Sequence, residues 1–382
     1  MSSAAQDQLY MTQAIALAER GRYTVDPNPM VGAIVVIHDR IIGQGWHQYA
    51  GQAHAEVLAV SAALAKLELK TDSTLTPLTS ATLYVSLEPC SHHGRTPPCA
   101  ELLIRHGFAR VVIGCLDPNP EVAGQGMAML KQAGIAVDVL DSPDATVLNR
   151  SFFYRCRTQQ PYVQIKAGAS LDGRTALANG VSQWITASPA RQDVHRLRLA
   201  ASAIMTGSET ILRDQAKLTA RPDMLGFLPE RQPLRVVLDS TLRCLDLLCQ
   251  QAIQTPEQQT LLCYASGSIS APLGSRPSNL ELIPMPSASA GLDLQAVLAE
   301  LNRREMNHVL VEAGATLTGA MLQANLVDEL IIYLAPTLLG PQARALFDLP
   351  LLTALPDPLW EYAAVDPIGS DLKLTLRPKV TL

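Results

Sequence analysis

His54, Glu56, Cys90 and Cys99 are the residues whose types and order most directly imply chemistry. One imidazole and two thiolates supply three zinc ligands, and zinc held by three protein ligands keeps a fourth position open for water. Zinc lowers the pKa of that water, so a nucleophile is available near neutrality. Glu56 lies two residues beyond His54, in place to carry a proton. The set fits replacement of an exocyclic amine by oxygen, which needs both functions. The competing reading is zinc-free, with His54 packed or exposed and the two thiols merely buried.

Such a site needs elements that bring its members to one point. Residues 8–20 place Met11, Ala14, Ile15, Leu17 and Ala18 at helical spacing, with Gly21 as a C-cap. Asp26-Pro27-Asn28-Pro29 must turn, because proline disfavours helix at the residue before it. Residues 31–37 and 41–46 read as strands joined by a His-Asp-Arg turn, and 54–67 as a buried helix. Residues 81–87 form a strand running into Cys90, and 99–106 a short helix after Pro97-Pro98. A strand, a helix and a strand follow at 111–115, 124–133 and 135–140. This is a three-layer α/β pattern. His54 and Cys99 fall at predicted helix starts, where the peptide dipoles favour a thiolate.

Composition bounds the rest. The 382 residues exceed one ordinary core, so two domains are expected. A hydrophobic share of 48% against 17% charged excludes a disordered chain. No apolar run is long enough to span a bilayer, and Met1 to Gln8 lacks a signal-peptide pattern. Seven cysteines, an odd number spread thinly, point to reduced thiols. These features imply a cytoplasmic protein with no membrane partner. A net charge of −5 and no basic run of five argue against nucleic acid.

Residues 141–160 are polar and turn-forming, and the boundary is placed there, giving domains 1–145 and 146–382. The second part opens with a strand at 162–167 and a helix at 188–201, with Ser188 as N-cap and Pro189 at the first helical position. Strands are expected at 203–206, 234–238, 261–264 and 280–283, with 265–292 mostly loop. A helix at 293–304, a strand at 308–311, a helix at 316–324 and a strand at 327–334 complete the pattern. Lys166 to Arg174 holds two glycines after a strand, allowing close backbone approach to a ligand. Ser182 to Thr186 contains one of three tryptophans, a residue that in isolation is more often a packing residue than a cofactor contact. Val311 to Ala320 ends a strand and opens a helix, presenting N–H groups to an anion. It is neither a P-loop nor a Gly-x-Gly-x-x-Gly dinucleotide fingerprint.

The His-x-Glu…Pro-Cys…Cys order is the signature of zinc-dependent base deaminases, but the usual two residues between the cysteines become eight here. That insert also offers His92 and His93 as rival ligands. Ser86-Leu-Glu-Pro-Cys-Ser-His-His-Gly-Arg-Thr-Pro-Pro-Cys99 resembles the bifunctional deaminase–reductase family of riboflavin biosynthesis, whose own spacing this is. Asn28-Pro-Met-Val-Gly, His54-Ala-Glu and Asp117-Pro-Asn-Pro match the family too.

The resemblance implies a cytidine-deaminase-like three-layer α/β/α domain, followed by a dihydrofolate-reductase-like α/β domain using NADPH. It implies one zinc per chain on His54, Cys90 and Cys99, with Glu56 catalytic. The implied substrate is a diaminopyrimidinone carrying a ribosylamine phosphate, touched in the first domain by Asn28, His92, Arg95, Asp117 and Asn119. By residue type alone, Asn28 and Asn119, set between prolines, are equally ordinary turn formers. In the second domain Gly168, Trp184, Thr210, Asp214, Ser240 and the run Gly314, Ala315, Thr316, Leu317, Thr318, Gly319 and Ala320 would touch the cofactor. Ser182, Arg198, Leu218, Arg221 and Glu312 would touch substrate, the arginines suiting a ribose phosphate. Arg198 alone reads equally as a solvated helix face. Arg213-Asp214-Gln215-Ala216 departs from the family's usual Ala-Asp-Asp-Pro, keeping only the first Asp.

The expectation is a homo-oligomeric enzyme that deaminates its pyrimidine and then reduces the ribosyl group to ribityl. Lys166 and Glu312 are the candidates for the reductase proton. One rival is a nucleoside or tRNA base deaminase with an appended binding module, which would want an aromatic, basic channel; aromatics are 4%. The other is a non-catalytic zinc scaffold, against which Glu56 argues.

Overall fold

A computed structural model of the chain describes residues 4–67, 78–91, 97–119, 122–267, 276–289, 291–351 and 359–379. It divides into two units, Met1–Gln159 and Gln160–Leu382.

In the first unit, α1 (Ala4–Ala18) leads to β1 (Gly32–Ile37) and β2 (Arg40–Trp46). His38 and Asp39 join these strands with φ of 48° and 59°, the two-residue turn whose twist suits an antiparallel hairpin. Then come α2 (Ala55–Lys66), β3 (Thr82–Val85), α3 (Cys99–Arg105), β4 (Arg110–Ile113), α4 (Gln125–Gln132) and β5 (Ala136–Val139). The sheet order is β2-β1-β3-β4-β5, parallel from β3 onward. Alternation along the strands sorts the two faces. Ala33, Val35, Leu83, Val85, Val111 and Ile113 pack with Ala59 and Ala63 of α2, Leu103 of α3 and Leu130 of α4. Ile34, Val36, Tyr84 and Val112 meet Tyr10, Met11 and Ala14 of α1. The expected three layers are present.

Two glycines seat α2. A Cβ on Gly43 would collide with the Ala59 carbonyl, and one on Gly45 would lie 2.6 Å from Leu58 Cβ. Their absence lets the helix backbone rest on β2, which fixes its N-terminal end and with it His54 and Glu56. Gly21 has a comparable role instead of the expected C-cap. It closes a 3₁₀ turn, Glu19–Gly21, and a Cβ there would sit 2.7 Å from the His47 carbonyl.

The boundary falls after Gln159 rather than at 145. The polar stretch forms α5 (Pro143–Leu148) and α6 (Arg150–Thr158), whose Ala145 and Phe153 pack with Leu87 and Cys115. Asn149 exchanges two hydrogen bonds with the Met30 backbone, fastening this pair to the first unit.

The second unit runs β6 (Tyr162–Ser170), β7 (Arg174–Ala176), α7 (Ser188–Ala200), β8 (Ala203–Gly207), α8 (Ser208–Asp214), α9 (Pro222–Leu225), β9 (Leu234–Leu238) and α10 (Leu245–Gln254). It continues with β10 (Thr260–Ala265), β11 (Leu280–Met285), β12 (Ser287–Ala288), β13 (Gly291–Leu292), α11 (Leu294–Arg303), β14 (His308–Val311) and α12 (Ala315–Gln323). The last elements are β15 (Glu329–Ala335), β16 (Arg344–Ala345), β17 (Trp360–Ile368) and β18 (Asp371–Pro378). Nine strands make one sheet, β11-β10-β9-β8-β14-β6-β15-β18-β17. Seven of these run parallel, and the hairpin β17–β18 adds antiparallel at β15.

Val297, Leu298 and Leu301 of α11 and Met321 of α12 cover one face. Val194 of α7, Ile211 of α8 and Leu248 of α10 lie against the other. A parallel sheet covered on both faces reads as continuous apolar runs, which is why these strands were recognisable. Ser188 proves to be the first helical residue, not the N-cap; Ala187 takes that place and donates its N–H to Asp371 Oδ2 at 2.7 Å. The expected strand at 280–283 is β11, and the rest of the expected loop at 265–292 holds the small β12–β13 hairpin. Among the described residues no helix is long and apolar enough to cross a membrane.

Candidate active site

His54 is the N-cap of α2, with extended backbone at φ −72° and ψ 163°, and Glu56 lies in the helix's first turn. Cys99 opens α3 after Pro98, and Cys90 lies on the loop following β3. His54 Nδ1 is 3.6 Å from Cys90 Sγ and 3.4 Å from Cys99 Sγ. All three ligand atoms lie within 4.8 Å of one another. The Cys99 N–H donates to Cys90 Sγ at 3.3 Å.

The electrostatics of this group suit a cation. Cys90 is held down to about 4 by hydrogen bonds from the Cys99 thiol and from His54. Cys99 moves up, because it shares its proton with Cys90 and is buried. His54 is raised by its bond to Cys90. Glu56 is pushed to about 7, first by burial and then by the Cys90 charge. One thiolate, one thiol and a ring drawn toward its charged form share one small space. A divalent cation would accept all three lone pairs and relieve that crowding. One nitrogen and two sulfurs, with no carboxylate among the ligands, is a zinc set with an open position. Ser91 Oγ, next in sequence, is buried with no partner among the described residues. His92, His93 and Arg95 lie outside the described residues.

Asn28 reaches this group through a residue that sequence reasoning missed. His47 Nδ1 lies 3.1 Å from the Ala53 carbonyl and its Nε2 3.0 Å from Asn28 Nδ2. A carbonyl accepts only from N–H, so Nδ1 carries the proton, and Asn28 presents its NH₂ to Nε2. Oδ1 of Asn28 is then the acceptor it offers elsewhere. Burial lowers the His47 pKa, which keeps this neutral tautomer. The rings of His47 and His54 meet edge-on with centroids 5.4 Å apart. The only signal for His47 in sequence was its nearness to His54. Asp117 and Asn119 lie on the turn between β4 and α4, which the Glu88 carboxylate ties to the strand end leading to Cys90.

In the second unit, Glu312 follows β14 and meets Arg198 Nε at 2.5 Å, Arg198 Nη2 at 2.9 Å and Lys166 Nζ at 3.4 Å. Burial pushes Glu312 up, but Arg198 and Lys166 outweigh it and leave it at about 2. The solvated reading of Arg198 is therefore corrected: its side chain is 16% exposed and its fork is engaged. His195, buried on α7, was also missed. Its Nδ1 accepts the Arg221 N–H at 3.1 Å, and burial followed by Arg198 and Arg221 lowers it to about 4. Leu218 takes a φ of 57° and packs with Ile204 and Leu310, so its side chain serves the core.

Of the expected cofactor residues, Gly168 lies within β6 and the others lie on segments that follow strands. Trp184 is 66% exposed under the Arg191 guanidinium, 4.6 Å from its ring centre. Trp184, Thr186 and Arg191 line a cavity of about 500 Å³. Gly168 faces Thr186, whose Cγ2 would lie 3.3 Å from a Cβ there. Ser182 is exposed before Trp184. Thr210 and Asp214 lie on α8 beyond β8, and Ser240 lies beyond β9. Gly314 is the exposed N-cap of α12, and a Cβ there would meet nothing within 4 Å. Thr316 is also exposed, with Ala315, Leu317 and Ala320 half-buried. Thr318 and Gly319 face inward: the Thr318 hydroxyl donates to the Gly314 and Ala315 carbonyls, and Gly319 admits the Asp348 carbonyl. The altered Gln215-Ala216 pair is accommodated, since Gln215 ends α8 at φ 47° and its carbonyl accepts Gln251 Nε2.

Residues 161–374 match the RibD C-terminal domain, and residues 4–115 match the cytidine and deoxycytidylate deaminase zinc-binding region. The riboflavin biosynthesis protein RibD of Escherichia coli is 44% identical over 381 residues, covering 97% of this chain and 99% of that protein. RibD of Haemophilus influenzae is 42% identical, with 98% of each chain covered. The structure of Acinetobacter baumannii RibD superimposes with a TM-score of 0.84 at 38% identity, covering 99% of this chain and all of that one. A Thermotoga maritima diaminohydroxyphosphoribosylaminopyrimidine deaminase/5-amino-6-(5-phosphoribosylamino)uracil reductase does so at 0.82 and 31% identity, covering 98% of this chain and 99% of that one.

Proposed function

The chain belongs to the RibD family of riboflavin biosynthesis proteins, and from that premise we propose which residues carry its two activities. It is a bifunctional deaminase and reductase of that pathway. The base-deaminase rival with an unrelated binding module gives way, because the second unit matches the RibD C-terminal domain.

In the deaminase unit, His54, Cys90 and Cys99 would hold one zinc, which would supply an activated water. The Glu56 carboxylate takes the water's proton and returns it to the departing amine, released as ammonia. With a cation held beside it, the Glu56 carboxyl would fall below about 7 and present its accepting form at neutral pH. The substrate is 2,5-diamino-6-ribosylamino-pyrimidinone 5′-phosphate. Asn28 meets the pyrimidine through Oδ1, with Asp117 and Asn119 beside it; His92 and Arg95, outside the described residues, are assigned to substrate by the family resemblance alone. The observation that carries this reading is the closure of His54, Cys90 and Cys99 to within 4.8 Å, with Glu56 buried beside them.

In the reductase unit, Gly168, Trp184, Thr210, Asp214, Ser240 and Gly314 to Ala320 hold NADPH, which supplies the hydride. Open space at the Gly314 N-cap, beyond a strand end of a parallel sheet, supports a diphosphate there. Thr318 and Gly319 shape that helix end from beneath. Ser182, Arg198, Arg221 and Glu312 are the substrate residues, with Leu218 contributing its main chain, because its side chain lies in the core. Arg198 is committed to Glu312, so the phosphate falls to Arg221. Ring opening leaves a C=N at C1′; hydride adds to that carbon, and nitrogen takes up one proton. Glu312 at about 2 holds no proton near neutrality, which leaves Lys166 to supply it. Seven free cysteines support a cytoplasmic setting, and exposed Tyr362 and Val365 on edge strand β17 support a homo-oligomer.

The test incubates the purified protein with the diaminopyrimidine phosphate, with and without NADPH. Accumulation of the deaminated intermediate only when NADPH is withheld supports both assignments. Accumulation in both conditions removes the reductase. Glu56→Gln should abolish ammonia release with zinc still bound, and unchanged turnover would refute the acid–base role.

A further inference from the structure

Glu88 lies two residues before Cys90 and is 4% exposed, yet no ligand or acid–base role falls to it. Its Oε2 accepts the N–H of Asp117 at 3.2 Å and of Gly124 at 2.9 Å, and its Oε1 accepts the N–H of Met127 at 3.1 Å. Its own N–H donates to the Cys115 carbonyl at 3.0 Å. All three partners of the carboxylate are main-chain groups on one stretch, the turn after β4 and the start of α4.

The start of α4 has no side-chain cap of its own. The helix is capped by Gly124, at φ 75° and without a side chain, so the orphan N–H of Met127 has no local acceptor. Glu88 supplies one from a distant strand end. Gly126 permits the approach, since a Cβ there would collide with the Pro89 carbonyl. Downstream of Asp117 the turn closes on itself. Asp117 Oδ1 accepts the Asn119 N–H at 2.8 Å, and the Asn119 carbonyl accepts from Val122 and Ala123.

We propose that Glu88 is a positioning residue of the deaminase site: its carboxylate fixes the Asp117–Asn119 turn against the loop that bears Cys90, so that substrate contacts and metal ligands keep one spacing. This rests on the reading that Asp117 and Asn119 touch substrate. One buried acid thereby sets two parts of the pocket at once, although it touches neither metal nor pyrimidine. Glu88→Gln keeps the shape but turns an NH₂ group toward N–H donors, at least one of which loses its acceptor.

The experiment measures deaminase KM and kcat, bound zinc, and reductase turnover of the deaminated substrate in the full chain. Glu88→Gln is expected to raise the deaminase KM about tenfold, with kcat falling less, zinc retained and reductase turnover unchanged. Glu88→Asp, which keeps the charge on a shorter arm, should recover part of the loss. Asn119→Ala should raise KM by itself, and the double variant should cost less than the product of the two, because both act through one turn. Zinc loss with an unmoved KM in Glu88→Gln would overturn the inference, making Glu88 a support for Cys90 alone. A KM that rises in Asn119→Ala but not in Glu88→Gln would also overturn it, with the substrate reading intact. A KM unmoved in both would sink the substrate reading and the inference with it.

Discussion

Arg198→Met tests whether the buried charges of the reductase unit behave as their geometry implies. Glu312 is held at about 2 against an ordinary 4.5, a difference worth about 3 kcal/mol at 1.36 kcal/mol per tenfold. Breaking a buried pair from one side costs about 3–5 kcal/mol, and the remaining Lys166 contact argues for the lower end. The two routes agree on about 3 kcal/mol. The sign follows from linkage: the folded pKa lies below the unfolded one, so this stability is fully present above about 4.5. It is lost as pH falls from there through about 2. Hydrogen exchange of amides in β6 and β14 reports this unit separately from the other. The expected result is a deficit of about 3 kcal/mol in Arg198→Met at pH 7, narrowing as pH falls below about 4.5. A deficit under about 0.5 kcal/mol at pH 7, or one that stays the same at pH 3.5, would refute the charge argument.

Cys90→Ser and Cys99→Ser should each lose stoichiometric zinc and deaminase turnover while reductase turnover persists; metal analysis beside the two assays checks this. A strong zinc chelator should separate the activities of the native chain in the same way. His47→Ala should raise the deaminase KM about tenfold with zinc retained, because Asn28 loses the acceptor that orients its amide. Gly319→Ala forces a methyl against the Asp348 carbonyl; a melting curve should show a loss of about 1–3 kcal/mol, with weaker NADPH binding by titration.

The zinc trio and Glu56 were legible in sequence because the chemistry restricts residue type and because each residue opens or precedes a recognisable element. The parallel strands were legible for a related reason: burial on both faces leaves continuous apolar runs. The stretch 141–160 was not, since Asp141-Ser142-Pro143-Asp144 carries turn-forming types. Ser142 and Pro143 in fact start a helix, and Phe153 anchors it to Leu87 and Cys115 far upstream. The hairpin β17–β18 escaped notice because its first strand is an exposed edge with Pro367 in it, the one place a sheet tolerates that residue.

The residues missed within the site share a different property. His47, Glu88 and His195 are ionisable side chains that bond main-chain or amide groups, so no partner of complementary charge betrays them in the chain. Arg198 taken alone read as a solvated helix face for the converse reason. Its helix position alone permits solvent, and only the topology that sets β14 beside β6 brings Glu312 and Lys166 to it. The two units therefore use buried charge in opposite ways. The deaminase group crowds a thiolate, a thiol and an imidazole together, a set that a divalent cation would relieve. In the reductase unit the charge is met from within the chain: Glu312 is paired with both Arg198 and Lys166, and the two cations leave that cluster with one positive charge in excess.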